Sequence, residues 1–405
     1  MSTQRTNESY LVVGGGTATG EAIASQLLYR GERRVSIFDG VPLAPEQTKR
    51  FGSGLNAIFV GNILELKSVV DAVKASAATC IIHVGAITTA EASAAVYPTQ
   101  RPPNLTPEQR EKFLADHMAF HKQVNMEGTR NLLSAALEDS TVTQLVYIGS
   151  ADIVFNGKER PMLREVDAPY PDNCLKSLEP QQHAERMVLS FNGVNALRTA
   201  VIRPAMPFGP SVGSAAILRR FQAAPQFAGI QLGDNTNLAD RTYVANTAHA
   251  AILAADRLAP AHPQHELVAG RAFFITNDDP RPFWDFYRAL WVAIGGAEPK
   301  KVVADQTFMS VMAGVKDFVA KVKREKSPNA QMKIKCMSAT RTYDISLAKE
   351  VLGYKPIVSY DEGIRQVAEW WLEQQLRLCK EQGSNVPPPY SYNEAVFFAE
   401  KSPFF

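Results

Sequence analysis

Cysteine is scarce in this chain. Four residues in 405, at positions 80, 174, 336 and 379, lie far apart and form no C-x-x-C pair. That spacing argues against a disulfide framework and a thiolate metal site, and predicts a reducing compartment. An excess of charge of either sign is also lacking: 43 Lys and Arg stand against 41 Asp and Glu, for a formal +2. Without a strong electropositive field, nucleic acid is not an expected partner. No run of about 18 apolar residues occurs, so no transmembrane span is expected. The opening MSTQRTNESY is polar and does not read as a signal peptide. These absences predict a cytoplasmic protein, with the periphery of the endoplasmic reticulum or another lipid surface as alternatives. No internal repeat is present.

What is there is a large reserve of core-forming residues. The chain is 45% hydrophobic and too long for one minimal domain. Short apolar runs alternate with helix-compatible stretches. A strand leads from residue 10 into Gly14, Gly15 and Gly16, and a helix is expected from Thr17 to Tyr29. Strands follow at Val35–Phe38, ending on Asp39, at Ala57–Val60 and at Cys80–Val84, with a helix near Leu64–Ala75 between the last two. A helix beginning near Thr106 and running to Glu138, then strands at Leu145–Ile148 and Ala200–Ile202, continue the rhythm. This βαβ order predicts an α/β fold: a Rossmann doubly wound parallel sheet with a smaller, discontinuous α+β substrate domain. The expected division is a dinucleotide-binding domain over 8–205, with an insertion loop at 88–116. A mainly substrate-binding domain over 206–382 and an extended C-terminal arm over 383–405 complete it.

The glycines point to a cofactor. Gly14, Gly15, Gly16 and Gly20 lie between the first strand and the first helix, where small residues let a pyrophosphate approach the helix N-terminus. Asp39 closes the second strand 19 residues after Gly20. An acid there bonds a ribose 2′-hydroxyl and repels a 2′-phosphate, which favours NAD over NADP. Thr17 occupies a position where a G-x-x-G-x-x-G spacing would place glycine. A Cβ there predicts weakened or lost cofactor affinity.

Longer motifs carry a resemblance. VNMEGTRNLL (124–133), LVYIGSADIVFNG (145–157), AERMVL (184–189), IRPAMPFGP (202–210), QLGDNTNLADRTYVAN (231–246), GRAFFITNDDPRPFWDF (270–286) and AKEVLGYKP (348–356) follow in order. Together they resemble the 3β-hydroxysteroid dehydrogenase/isomerase branch of extended short-chain dehydrogenases, most of all the decarboxylating sterol-4α-carboxylate 3-dehydrogenases. The resemblance spans about residues 10–375. It implies that Ser150 hydrogen-bonds the reacting oxygen and that Asn125 supports the active site. It places Arg203 and Pro204 in the turn beside the nicotinamide, Asn62 and Ile63 near the adenine, and His83, Gly85 and Ala86 at the strand end flanking the cofactor.

One pair that the resemblance calls for is missing. Its enzymes use a tyrosine as acid/base and a lysine that lowers the tyrosine pKa. No Tyr-x-x-x-Lys occurs in the sequence. Counting back from AERMVL, the tyrosine position is Ser177 and the lysine position is Gln181. An aliphatic hydroxyl is a far weaker acid than a phenol, and Gln carries no charge. Pro180 lies between them and suits the first turn of a helix, so the helix is expected to start there and leave Ser177 on a loop. Replacement acid/base candidates are Tyr170, Asp172, Lys176, Glu179 and His183, each with a structural or solvated alternative.

Apolar residues at 308, 309, 312, 315 and 319 follow helical spacing, with Lys316, Lys321, Lys323 and Arg324 beside them. Either a helix packed on the second domain or an interfacial helix fits, so peripheral membrane contact stays open. Trp284, Phe286, Tyr287 and Trp291 are expected in the core. The expected function is an enzyme acting on a small hydrophobic, bulky polycyclic substrate of sterol, terpenoid or polyketide type. Its step is read as redox-neutral: isomerisation, cyclisation, elimination or decarboxylation. The alternatives are an NAD-dependent 3β-hydroxy dehydrogenase with an unorthodox proton relay, and a non-catalytic NAD-binding sensor or scaffold. A homodimer is compatible with the sequence.

Overall fold

A computed structural model describes residues 5–85, 116, 119–172, 174–175, 177–322 and 330–383. Most of the 88–116 insertion, Ala86 and Lys176, the start expected near Thr106, and the arm beyond Gly383 lie outside these residues.

Seven strands form the large sheet. The first five are β1 (Tyr10–Val13), β2 (Val35–Asp39), β3 (Ala57–Val60), β4 (Cys80–Val84) and β5 (Gln144–Ile148). After β6 (Arg160–Leu163), which belongs elsewhere, comes β7 (Arg198–Pro204). Following β8 (Pro207–Phe208), β9 (Ile230–Leu232), β10 (Leu238–Ala239) and β11 (Thr242–Tyr243), the chain returns with β12 (Arg271–Ile275). The order is β12-β7-β5-β4-β1-β2-β3, all parallel. Parallel strands buried on both faces need apolar side chains at successive positions, which is what YLVV, CIIHV and QLVYI supply. Alternate residues feed opposite cores: Tyr10 and Val12 join one cluster, Leu11 and Val13 the other. Each large apolar side chain so buried is worth about 1.5–3 kcal/mol. Helices Ala18–Tyr29 and Val244–Leu258 cover one face. Helices Leu66–Ser76, Thr129–Glu138 and Glu179–Ser190 cover the other.

The element boundaries read from the sequence shift by a few residues. The helix expected from Leu64 begins at Leu66, because Asn62 makes a turn: its side-chain oxygen accepts the Leu64 N–H at 3.0 Å. The strand around Ala200 runs on to Pro204, paired along β12 as well as β5.

A second sheet joins β13 (Arg281–Pro282), β10, β15 (Arg341–Tyr343) and β6, in that order, while β14 (Val302–Ala304) pairs with β9. Strand β6 comes from the segment after Ser150, so the smaller layer is built from separated stretches. The stretch after 206, in turn, supplies β12 and helix Val244–Leu258 to the large sheet. Beside the small sheet lies an aromatic core including Phe208, Tyr243, Phe283, Trp284, Phe286, Tyr287 and Trp371, with Trp291 packed partly buried against it.

Candidate functional site

The chain reverses direction across the sheet between β1 and β4, and the carboxyl ends of adjoining strands open a crevice there. Gly14 follows β1 with φ +81°, a conformation that glycine adopts without strain. Gly20 lies under the loop: a Cβ there would stand 2.7 Å from the Gly15 Cα and closer still to the Gly14 carbonyl oxygen. Gly15 leaves room in the same way for the Ile37 side chain.

Thr17 has a local task. It is the N-cap of helix Ala18–Tyr29, accepting the Gly20 N–H at 3.1 Å and donating to the Gly14 carbonyl at 2.7 Å. Asp39 accepts the Gly16 N–H at 2.8 Å and the Val41 N–H at 3.3 Å. Burial raises its pKa, opposed by these backbone hydrogen bonds. Asn62 is exposed after β3. Ile63 is half-buried against Gly128 and accepts from Asn131 at 3.0 Å. Gly85 follows β4 and lies against the Tyr147 ring, where a Cβ would stand 2.6 Å from Cζ. His83, just before, is buried and held neutral by desolvation, its pKa lowered to about 3, with Nε2 3.1 Å from the Thr129 hydroxyl. Asn125 donates to the His121 carbonyl at 2.9 Å within the π-helical turn Val124–Gly128.

Ser150 follows β5 and caps a short 3-10 turn, Ala151–Val154. Its Oγ accepts the Asp152 N–H at 3.2 Å, which leaves the hydroxyl proton available to a substrate oxygen. Asp152 is fixed in turn by Arg341 of β15 at 2.6 Å, with both side chains buried. Helix Glu179–Ser190 packs on this turn, Gln182 reaching the Ile153 carbonyl at 3.4 Å.

That helix carries Gln181, one of the two positions where the resemblance puts the missing pair. It starts at Glu179 with Pro180 in its first turn, so Ser177 sits half-buried on the preceding turn. Gln181 is buried in the first helical turn, and its Oε1 has no hydrogen-bond partner among the described residues. Four residues on, at the helical repeat, Glu185 is fully buried. Arg203 at the end of β7 donates to it from Nη2 at 2.5 Å and Nε at 2.9 Å, and Tyr170 donates at 2.7 Å. A Cβ on Gly149 would lie 2.8 Å from the second Glu185 oxygen, so this carboxylate stands under the Ser150 loop. Burial, then the Glu185 charge, raise the Tyr170 pKa well above that of an ordinary phenol. As placed, Tyr170 is a poor proton donor at neutral pH. Pro204 closes β7 beside this group.

The structure thus brings Tyr170, Arg203 and the Ser150 loop around Glu185. Asp172, Glu179 and His183 are exposed, and Lys176 lies outside the described residues. Sequence reasoning missed Glu185 and the Asp152–Arg341 pair. The first had a signal, an acid one helical turn after Gln181. The second had none, its partners being 189 residues apart. Among the described residues no His, Cys, Asp and Glu group could hold a metal ion.

Comparison with known proteins places this arrangement. Residues 112–305 match the model of the 3-beta hydroxysteroid dehydrogenase/isomerase family. The chain is 32% identical over 374 residues to a decarboxylating sterol-4-alpha-carboxylate 3-dehydrogenase of Candida albicans, covering 90% of this chain and 98% of that one. A Schizosaccharomyces pombe protein of the same description is 34% identical over 254 residues, 61% of this chain and 72% of that one. In fold it is similar to the UDP-glucose 4-epimerase of Thermus thermophilus solved with NAD, at TM-score 0.61 and 18% identity, over 90% of this chain and 99% of that one.

Proposed function

The chain belongs to the 3-beta hydroxysteroid dehydrogenase/isomerase family, and from that membership we propose that it transforms a bulky, apolar, polycyclic substrate in a redox-neutral step. The observation that carries the reading is the start of helix Glu179–Ser190. The helix begins at the altered pair, with Ser177 on the turn before it and an uncharged Gln181 within it. The phenol nearest Glu185, Tyr170, is committed to that carboxylate.

A nicotinamide dinucleotide fits the residues present, which supports retention of the cofactor. The glycine cradle excludes Cβ atoms at 15 and 20, and the helix N-terminus faces the loop. Asp39 borders the loop at Gly16, as an NAD-selecting acid would. The Oε1 of Gln181, without a hydrogen-bond partner among the described residues, offers an acceptor to a ribose hydroxyl. Gly14, Gly15, Thr17, Gly20, Asp39, Asn62, Ile63, Gly85, Arg203 and Pro204, with Ala86, form the proposed set. When bound, such a cofactor supplies hydride-transfer capacity.

This chain's own groups do the rest. Ser150 donates a hydrogen bond to a substrate oxygen. The Glu185–Arg203 pair lies beneath the loop that carries Ser150. The cleft positions the substrate, and positioning alone is worth about 7–11 kcal/mol in favourable cases. Lost general-base assistance would slow alcohol oxidation by about 10²–10⁴-fold. Incubating purified protein with candidate polycyclic substrates, followed at 340 nm and by mass spectrometry, tests the reading. Product formed without NADH turnover is expected. A mass change of two hydrogens with matching turnover would establish a dehydrogenase with another proton relay, and cofactor binding without any product would establish a sensor or scaffold.

Peripheral lipid contact is part of the same proposal. Helix Gln306–Val322 presents Phe308, Val311, Met312, Val315, Phe318 and Val322 to the outside while packing on helix Ala330–Ser338. No helix among the described residues is long and apolar enough to cross a membrane. An apolar face beside Lys316 suits an interfacial position. Co-sedimentation with anionic phospholipid vesicles, reduced at least about tenfold by Phe318→Glu, is expected; equal sedimentation of the two proteins would remove this element.

A further inference from the structure

Helix Tyr360–Gln382 joins the aromatic core to the glycine turn. Its 23 residues span about 35 Å. At its start the Tyr360 ring lies 5.6 Å from Phe208 and 6.4 Å from Phe286, centroid to centroid, and Gln366 accepts the Tyr243 hydroxyl at 2.6 Å. Val367, Trp371, Gln375 and Cys379 recur every fourth residue and are all buried, so one stripe of the helix stays covered to its last turn. Arg377, on that final stretch, forms an ion pair with Glu46, 331 residues away in sequence.

Glu46 belongs to the short helix Pro45–Phe51, which follows β2 and Asp39. Leu43 and Phe51 bury this segment in the core that holds Tyr10 and Val12. Gln47, beside Glu46, donates from Nε2 to the Gly16 carbonyl at 2.9 Å and to Glu21 at 3.0 Å, while its Oε1 accepts the Ala44 N–H at 3.0 Å. Arg50 pairs with Glu21 in the first turn of helix Ala18–Tyr29. Asp39 takes the Gly16 N–H and Gln47 the Gly16 carbonyl, so the segment from 39 to 47 holds both backbone polar groups of Gly16. Arg377 is thereby connected to the glycine turn: ion pair to Glu46, backbone to Gln47, hydrogen bond to Gly16.

An ion pair whose side chains are 40% and 49% exposed adds little to stability. Its placement gives it another use. Gly16 lies in the turn where a pyrophosphate would meet the helix N-terminus, and a glycine peptide turns easily unless its polar groups are held. We infer that Arg377 is a positioning residue for the dinucleotide: through Glu46 it holds helix Pro45–Phe51 against the glycine turn, and Gln47 passes that hold to the Gly16 carbonyl. The inference rests on the dinucleotide reading above and adds to it a determinant far outside the first βαβ unit.

Calorimetric titration of the full chain with NADH, alongside thermal unfolding of the chain without it, tests this. Arg377→Ala is expected to weaken NADH binding about three- to fivefold, the upper range for a partly exposed pair. The unfolding midpoint should move by no more than about 1 °C. Arg377→Lys should keep most of the affinity. Glu46→Ala should weaken binding as much as Arg377→Ala, and the double Ala variant no more than either alone. An Arg377 that acted on the phosphates as a distant cation would give the opposite sign for Glu46→Ala, since removing the carboxylate frees the cation. Tighter binding by Glu46→Ala therefore overturns the inference. Unchanged affinity in Arg377→Ala, or additive losses in the double variant, also overturns it and leaves the dinucleotide reading standing. If neither NADH nor NADPH binds the unaltered chain, the inference and the dinucleotide reading fall together.

Discussion

Arg341→Met is expected to lower the free energy of unfolding by about 3–5 kcal/mol, because it strands a buried carboxylate. The Arg341 and Asp152 side chains are 2% and 8% exposed and meet at 2.6 Å. Arg341 also donates to the Cys336 carbonyl at 2.7 Å, so its loss frees a second acceptor. Asp152→Asn should cost a comparable amount by leaving the cation unpaired. The double variant should cost less than the sum, since neither charge is then left alone in the interior. Urea unfolding of the four proteins at neutral pH measures this. A loss below about 1 kcal/mol for either single variant would mean that water reaches the pair. The consequence extends beyond stability. Asp152 donates its N–H to the Ser150 hydroxyl, and Tyr343 of the same strand β15 reaches the Ala151 carbonyl at 3.4 Å. The small sheet thereby holds the serine loop of the large one.

The second large effect concerns the glycine cradle. Gly20→Ala is expected to weaken dinucleotide binding by about a hundredfold, equivalent to about 2.8 kcal/mol. The added carbon meets backbone, the Gly14 carbonyl and the Gly15 Cα, rather than a side chain that could turn aside. The loop must therefore move off the helix N-terminus. Titration of the unaltered chain with NAD(H) and NADP(H) provides the reference, and Asp39 predicts preference for the former. Tighter NADP(H) binding would refute the role given to Asp39. Unchanged affinity in Gly20→Ala would place any dinucleotide elsewhere.

Much of the frame was legible in the residues. Strands β1 to β5 lie within a residue of the runs that announced them, because a parallel strand covered on both faces has to be apolar at successive positions. Pro180 announced the helix start, because its ring suits a first turn and no later one. Thr17 was legible only as a missing glycine. That it caps the helix, with both of its hydrogen bonds made inside the loop, depends on a backbone conformation that residue type alone does not specify.

By itself, the sequence determined the periodic elements, the glycine turn with its acid, and the absence of a Tyr-x-x-x-Lys pair. Each is a local property, set by the side chain and its near neighbours. Only the tertiary structure decided which charges meet. Glu185 with Arg203 and Asp152 with Arg341 join positions 18 and 189 residues apart. Burial makes such pairings strong and their absence costly. Which residues are buried together depends on how the two sheets pack, and no short stretch of sequence contains that.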